Sequence, residues 1–195
     1  MQLFFPIIGY LIGSISTAIL VCKLMRLPDP RSEGSGNPGA TNVLRVGGKS
    51  AAAITLIGDA LKGFLPVFAA NMSDIDPLWT GLTAIACVLG HMYPVFFQFK
   101  GGKGVATTIG SVFGLSWLAG LLVIASWLAL SLTFRISSLA ALGSMVLLPL
   151  FLWITTRSTE IMVCGAVIGA LVFWRHRSNI DRLMKGTEPR IGKKP

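Results

Sequence analysis

Charged residues are scarce in this sequence. Only 13% of its 195 residues are Asp, Glu, Lys or Arg, and just eight are acidic. This low share of charge, with 53% hydrophobic residues and a mean hydropathy of +0.71, excludes an ordinary soluble domain. The composition predicts a multi-spanning membrane protein, and the length suits a single domain over residues 1–195.

Metal ligands and nucleotide motifs are also lacking. The few acids are scattered, which argues against a metal-dependent phosphatidyltransferase, and the three cysteines lie in apolar runs without zinc spacing. No Walker motif is present, because Lys103 is followed by Gly104, so a nucleotide is not implied. We therefore expect no metal site, and the cysteines are predicted to be packing residues.

The net charge of +9 has a simpler explanation than nucleic acid. The sequence has no basic patch interleaved with aromatic residues, which single-strand binders need. In membrane proteins, Lys and Arg collect on the cytoplasmic side. We therefore expect no nucleic-acid partner and use the basic residues to orient the chain.

Apolar segments predict seven membrane spans. A span needs about 20 apolar residues, and residues 104–133 are ambiguous, because one helix of 30 residues would extend about 45 Å. GLSW at 114–117 offers a break, so two short helices are predicted there. The predicted spans are residues 3–22, 51–72, 78–97, 104–115, 117–133, 137–155 and 158–174.

The charge distribution favours an outside N-terminus and a cytoplasmic C-terminus. With seven spans, the cytoplasmic segments hold 15 of the 17 basic residues. Six spans would place the basic tail from residue 175 onward outside, against the positive-inside rule. We therefore predict an all-α polytopic membrane bundle, with the first apolar segment retained as a span rather than cleaved as a signal peptide.

Two glycine-rich loops share the cytoplasmic side in this topology. The asparagine loop, GSGNPGATN at residues 34–42, is uncharged and offers backbone N–H groups, hydroxyls and amides. The second loop lies in FKGGKGVATT, residues 99–108, and its KGGKG stretch at residues 100–104, which we call the lysine loop, places Lys100 and Lys103 among glycines before a predicted helix. Glycine backbone, a helix N-terminus and lysine together form a phosphate cradle. Two such loops on one face predict two anion sites.

Polar residues near these loops extend the candidate site. On a helix starting near Ala40, Thr41 and Arg45 would share one face, and arginine binds phosphate well. Asp59 and Lys62 lie inside a predicted span, where each charge costs about 2.5–3.5 kcal/mol. Their spacing allows an ion pair, and His91 lies near the end of another span. Whether these last three residues touch substrate or only hold the bundle together is left open.

The motifs closely resemble one bacterial family. SGNPGATNVLR, D-x-x-K-G at 59–63, GHMYP followed by FKGGKGVAT, and the tail RHRSNIDRLMKGTEPRIG match, in order, the PlsY family of acyl-phosphate:glycerol-3-phosphate acyltransferases. The resemblance implies a seven-span enzyme of the bacterial plasma (inner) membrane with a cytoplasmic active site. It implies acyl transfer from acyl phosphate to the 1-hydroxyl of sn-glycerol 3-phosphate, giving lysophosphatidic acid and phosphate, the first step of phospholipid synthesis. No cofactor, acyl-CoA or acyl carrier protein is implied.

The loops and the resemblance together assign the site residues. The residues expected to act in catalysis are Ser35, Arg45, Lys103, Ser138, His176 and Asn179. Those expected to bind substrate are Gly36, Asn37, Gly39, Ala40, Thr41, Asn42, Gly101, Gly102 and Glu188. Asp59, Lys62 and His91 are expected to be structural or supporting residues. No triad offers a general base, so the resemblance makes a substrate phosphate oxygen the hypothetical proton acceptor.

Two alternatives remain at this point. HRSNID at 176–181 also spells H-x-x-x-x-D, the signature of thioester-using acyltransferases, in which His is the base and Asp orients it. The short chain with its seven predicted spans does not fit the layout of that superfamily. The second alternative is an anion transporter, which would need polar residues along whole spans, whereas here they cluster on the cytoplasmic half.

Overall fold

The computed structural model describes residues 2–192, and within them the chain is helical with no strand. One 3-10 helix, Val95–Phe97, accompanies the α-helices. The α-helices are α1 (Phe4–Gly13), α2 (Thr17–Leu24), α3 (Ala40–Met72), α4 (Pro77–Met92), α5 (Val105–Leu115), α6 (Trp117–Phe134), α7 (Ser137–Thr156), α8 (Thr159–Arg175) and α9 (Arg177–Met184). The all-α membrane class predicted from composition is confirmed.

The predicted division of residues 104–133 into two helices is confirmed. Ser116 separates α5 from α6 with an extended backbone. Its side chain accepts a hydrogen bond from the N–H of Ala119 at 3.3 Å, which caps the start of α6. The serine of GLSW therefore ends one helix and begins the next.

Two predicted spans differ in part from the helices of the structure. Helix α3 begins at Ala40, which confirms the helix start predicted near that residue, and it is bent at Gly48, whose φ of 79° interrupts the helix. The predicted span 51–72 corresponds to the part of α3 after this bend, and the polar turns before the bend lack the hydropathy of a span. The segment predicted at 78–97 is also divided, because α4 ends at Met92 and Pro94 precedes the 3-10 helix.

Five helical segments of the described residues are long and apolar enough to cross a membrane. A sixth results if α8 and α9, which are bent by 63° from each other, are counted as one. Helix α5 has 11 residues and is about 16 Å long, roughly half of a hydrocarbon core. The count of seven spans and the outside N-terminus therefore stay predictions.

Small residues allow close packing of α3 against α5. A Cβ on Gly63 would collide with the carbonyl of Thr107, and one on Gly110 would collide with that of Ala60. Such contacts are typical of membrane helices, which gain packing energy when their backbones approach. The two helices run roughly parallel, since Asn71 near the end of α3 reaches the carbonyl of Gly114. The loops that precede α3 and α5 consequently lie at the same end of the bundle.

Candidate active site

Asn42 shapes the asparagine loop from within. Its Nδ2 donates to the carbonyls of Pro30 at 2.8 Å and Glu33 at 2.9 Å, and its Oδ1 accepts from the N–H of Ser35 at 2.8 Å. The residue is 1% exposed. Gly34, with a φ of 61°, lies against the same Oδ1, where a Cβ would collide. Both amide hydrogens are therefore used inside the loop, so Asn42 helps to shape the asparagine loop, and its expected contact with substrate stays a prediction.

The lysine loop is held on two sides. The N–H of Gly102 donates to the carbonyl of His91 at 3.1 Å. Arg175 donates from Nε to the carbonyl of Gly102 at 3.0 Å and from Nη2 to that of Gly101 at 2.8 Å. The guanidinium of Arg175 also lies 5.3 Å from the centre of the Tyr93 ring. These contacts fix the path of the loop just before α5 begins.

The two loops meet at one cavity. Gly102 of the lysine loop packs against the carbonyl of Pro38 in the asparagine loop. A cavity of about 300 Å³ lies between the loops and the α8–α9 bend, a volume at the lower end of the range for small-molecule sites. Its lining residues are Ser35, Gly36, Asn37, Gly101, Lys103, Arg175, Arg177, Ser178 and Arg182. The lining has four cationic side chains and no carboxylate, so the cavity favours an anionic ligand.

Lys103 links the lysine loop to the tail. Its Nζ donates to Oδ1 of Asn179. Burial and, next, the nearby charge of Arg182 lower the pKa of Lys103 to about 8, while the charge of Glu188 opposes the change. A bound phosphate would favour the protonated lysine for the same Coulombic reason. Lys103 therefore carries a charge that is stabilised best when an anion occupies the cavity.

Glu188 joins three donors behind the cavity wall. Its Oε1 accepts from Ser138 Oγ at 2.7 Å and from Asn179 Nδ2 at 2.6 Å, and its Oε2 accepts from Arg182 Nε at 2.6 Å. Burial disfavours the charged carboxylate, but the three hydrogen bonds outweigh burial and lower the pKa of Glu188 below its usual value. With both oxygens engaged and no place in the lining, Glu188 orients Asn179 and Arg182. Glu188 lies outside the cavity lining, and its expected contact with substrate stays a prediction.

His176 is a neutral buried imidazole at the α8–α9 bend. Burial lowers its pKa to about 4, although the carbonyl of Val172 at 2.8 Å from Nδ1 partly opposes this. Because a carbonyl only accepts, Nδ1 carries the proton and Nε2 is left as an acceptor. Asp181 is 61% exposed and pairs with Lys185 at 2.9 Å. The H-x-x-x-x-D dyad is therefore not assembled.

We expect Asp181→Ala to retain near-normal turnover. Its carboxylate contacts a neighbouring lysine in solvent, and an exposed i,i+4 pair of this kind contributes only about 0.3–0.5 kcal/mol. Initial rates of phosphate release by the purified variant check this. Loss of all activity in a folded Asp181→Ala protein would restore the dyad.

The structure brings only part of the predicted site to the cavity. Five predicted residues line it, and Ser138, Asn179 and Glu188 are joined to the lining by hydrogen bonds. Arg45 is exposed outside the lining, although its charge lowers the pKa of Lys103. The other predicted residues outside the lining are Gly39, Ala40, Thr41, Asn42, Gly102 and His176.

Sequence reasoning selected Asn179 of α9 but missed the four residues of α8 and α9 that line the cavity. Arg175, Arg177, Ser178 and Arg182 line the cavity, whereas the arginines were counted only as positive-inside charge. A signal was present, because Ser178 and Arg182 are spaced i,i+4 and share one face of α9. The bend between α8 and α9, which turns this face toward the loops, was not predicted.

Comparison with known proteins identifies the family of this chain. A sequence model described as glycerol-3-phosphate acyltransferase matches residues 3–186. Glycerol-3-phosphate acyltransferase of Thioalkalivibrio sulfidiphilus is 52% identical over 186 residues, covering 95% of this chain and 92% of the relative. The protein of that name from Vibrio cholerae is 50% identical over 188 residues, covering 96% and 89%.

Two solved structures are similar over nearly the whole chain. The glycerol 3-phosphate form of PlsY, an integral membrane glycerol 3-phosphate acyltransferase, superposes with a TM-score of 0.93 at 45% identity, covering 98% of this chain and 96% of that one. Its lysophosphatidic acid form has a TM-score of 0.91 at 44% identity, covering 98% and 95%. The chain therefore belongs to the glycerol-3-phosphate acyltransferase family, whose PlsY members share its fold.

Proposed function

We propose that this chain transfers a fatty acyl group from acyl phosphate to the 1-hydroxyl of glycerol 3-phosphate. The products are lysophosphatidic acid and inorganic phosphate, and the reaction begins phospholipid synthesis. We also propose that the protein lies in the bacterial plasma (inner) membrane with seven spans, an outside N-terminus and a cytoplasmic active site. The basic loops and tail support this orientation through the positive-inside rule.

The observation that carries this proposal is the cavity shared by the two glycine-rich loops. Both proposed substrates carry a phosphate group, and the cavity combines two loop backbones with Lys103, Arg175, Arg177 and Arg182. The N-terminus of α5 follows the lysine loop directly and adds a favourable dipole for an anion. Together these groups suit a site that holds two phosphates close to each other.

The chemistry demands little of the side chains. An acyl phosphate is an activated anhydride, so catalysis consists of orienting the hydroxyl, neutralising charge and stabilising the oxyanion. The hydroxyl oxygen bonds to the acyl carbon, the bond from that carbon to the phosphate oxygen breaks, and phosphate leaves with the electron pair. The hydroxyl proton passes to a phosphate oxygen. The competing route would use a side chain, the neutral Nε2 of His176, as the proton acceptor.

An enzyme explains the cavities better than an anion transporter. The cationic cavity lies among loops and the α8–α9 bend at one end of the bundle. A smaller cavity of about 200 Å³ lies between α1 and α3, and its lining is apolar: Phe5, Ile8, Ile12, Leu65, Pro66 and Ala69. An anion entering that second cavity would lose its hydration without gaining polar partners. These two cavities therefore do not form a continuous polar path for an anion through the bundle.

The decisive experiment compares acyl donors. Purified protein in lipid receives glycerol 3-phosphate with either palmitoyl phosphate or palmitoyl-CoA, and formation of lysophosphatidic acid is followed over time. We expect turnover with palmitoyl phosphate only, and phosphate release only when both substrates are present. Activity with the thioester alone would overturn the donor, and no turnover with either donor in folded protein would overturn acyl transfer.

A further inference from the structure

Three polar side chains connect the lysine loop to the bundle interior. Lys62 donates from Nζ to the carbonyl of Ile15 at 2.8 Å, and the same Nζ lies 2.7 Å from Oδ1 of Asp59. Nδ1 of His91 lies 3.5 Å from that oxygen. All three side chains are buried, with exposed fractions of 2% for Asp59 and 6% for Lys62 and His91. We call Lys62, Asp59 and His91 the interior cluster.

His91 is the point at which the interior cluster meets the loop. Its carbonyl accepts the N–H of Gly102, and its ring is so close to Gly102 that a Cβ there would collide with Nε2. Arg175 binds the carbonyls of Gly101 and Gly102 from the other side. The peptide between Gly101 and Gly102 is therefore clamped between His91 and Arg175, with Lys103 as the next residue.

Stability alone is a poor explanation for the interior cluster. Each ionised residue inside a span costs about 2.5–3.5 kcal/mol, and replacing a buried ion pair by apolar residues of similar size is often neutral or stabilising. None of the three side chains lines the cavity. What distinguishes the cluster is its contact with a glycine that cannot accept a side chain and that precedes Lys103.

We infer that Lys62, Asp59 and His91 are positioning residues, which hold Gly102 so that Lys103 and the lysine-loop backbone face the cavity. The inference deepens the proposed acyl transfer and rests on it for its kinetic signature. If the loop forms one of two phosphate cradles, loosening it weakens binding of one substrate and leaves the other unaffected. Small misplacements of this kind can cost about 100-fold in rate, so a tenfold change is measurable.

The test uses two variants that loosen the clamp in different ways. His91→Leu removes the ring nitrogens, while Asp59→Asn combined with Lys62→Met removes both charges and avoids an unpaired buried ion. We expect the KM of one phosphate substrate to rise about tenfold or more in both, with the other KM within twofold of the original protein. His91→Gln, whose amide retains polar atoms near Gly102, should recover at least half of that loss.

Asn71→Leu is the matched control. It removes hydrogen bonds to the carbonyls of Gly114 at 3.2 Å and Leu115 at 3.4 Å, at the other end of the same pair of helices, α3 and α5. A variant that only weakens helix packing should lower the melting temperature and the active fraction while leaving both KM values unchanged. A tenfold change of one KM in Asn71→Leu would therefore overturn the inference.

Hydrogen–deuterium exchange gives a readout that does not depend on the proposed reaction. The amides of residues 100–104 should exchange at least tenfold faster in His91→Leu and in the Asp59→Asn, Lys62→Met double variant, and at the original rate in Asn71→Leu. Unchanged exchange in His91→Leu and in the double variant overturns the inference even if acyl transfer is demonstrated. Faster exchange in a protein without acyltransferase activity would support the clamp and reject the function. If His91→Leu does not fold, the double variant decides.

Discussion

Replacing Lys103 by alanine is expected to lower turnover by about 100- to 1000-fold, the usual loss when a group that stabilises developing charge is removed. Lys103 lines the cavity, follows the clamped glycines and donates to Asn179. Its loss leaves the arginines, but two of them are already engaged, Arg175 by loop carbonyls and Arg182 by Glu188. Initial rates with palmitoyl phosphate and glycerol 3-phosphate measure the effect.

Lys100→Ala is the matched control for Lys103. Lys100 lies two residues before Gly102 in the same loop, but its side chain is exposed and outside the cavity lining. We therefore expect the activity of the Lys100→Ala variant to stay within threefold of the original protein. Equal losses in the two variants would show that general loop charge matters and that the position of Lys103 does not.

The same lysine predicts a pH dependence. Since burial lowers the pKa of Lys103 to about 8, its positive charge is present below that pH and is lost as the pH rises through it. We therefore expect kcat/KM, which reports the free enzyme, to fall above about pH 8. Lys103→Arg should extend the plateau to higher pH, because a guanidinium stays charged there, whatever its effect on the maximum rate.

Replacing Glu188 by glutamine is expected to lower kcat/KM by about 100-fold, the scale of a misplaced catalytic group. A glutamine amide has only one acceptor oxygen, so its NH2 group must face either Arg182 or the two donors Ser138 and Asn179, and the substitution removes the charge that opposes the lowering of the Lys103 pKa. Both changes weaken the cation set of the cavity. Rates measured at pH 6.5 and pH 8 should show the larger loss at pH 8, because Lys103 then deprotonates at lower pH.

Glu160→Gln provides the control for Glu188. Glu160 lies in the first turn of α8, at the end of that helix away from the site, and hydrogen-bonds only to Ser158 among the described side chains. Its neutral variant should retain original rates at both pH values. If Glu188→Gln also retained them, the hydrogen-bonded group around Glu188 would be a tail anchor without a role in the reaction.

The sequence by itself determined the features that depend on local chemistry. Low charge and long apolar runs identified a helical membrane protein, and Ser116 in GLSW predicted a helix break that its own side chain caps. Glycine, asparagine and lysine at 34–42 and 100–104 predicted two anion-binding loops, because such stretches present backbone N–H groups wherever they occur. Their motifs, read in order, were enough to identify the family.

Only the tertiary structure decided which side chains line the cavity and which hold the loops. Asn42 was grouped with the substrate-binding residues, and only the structure shows that its side chain makes three hydrogen bonds to residues 30, 33 and 35. Arg175 acts on a loop more than 70 residues away, and Lys103 meets Asn179 across a similar separation. Neither contact has a local pattern, because each depends on how α5, α8 and the α8–α9 bend pack. Residue type determined the available chemistry, and packing determined where each group points.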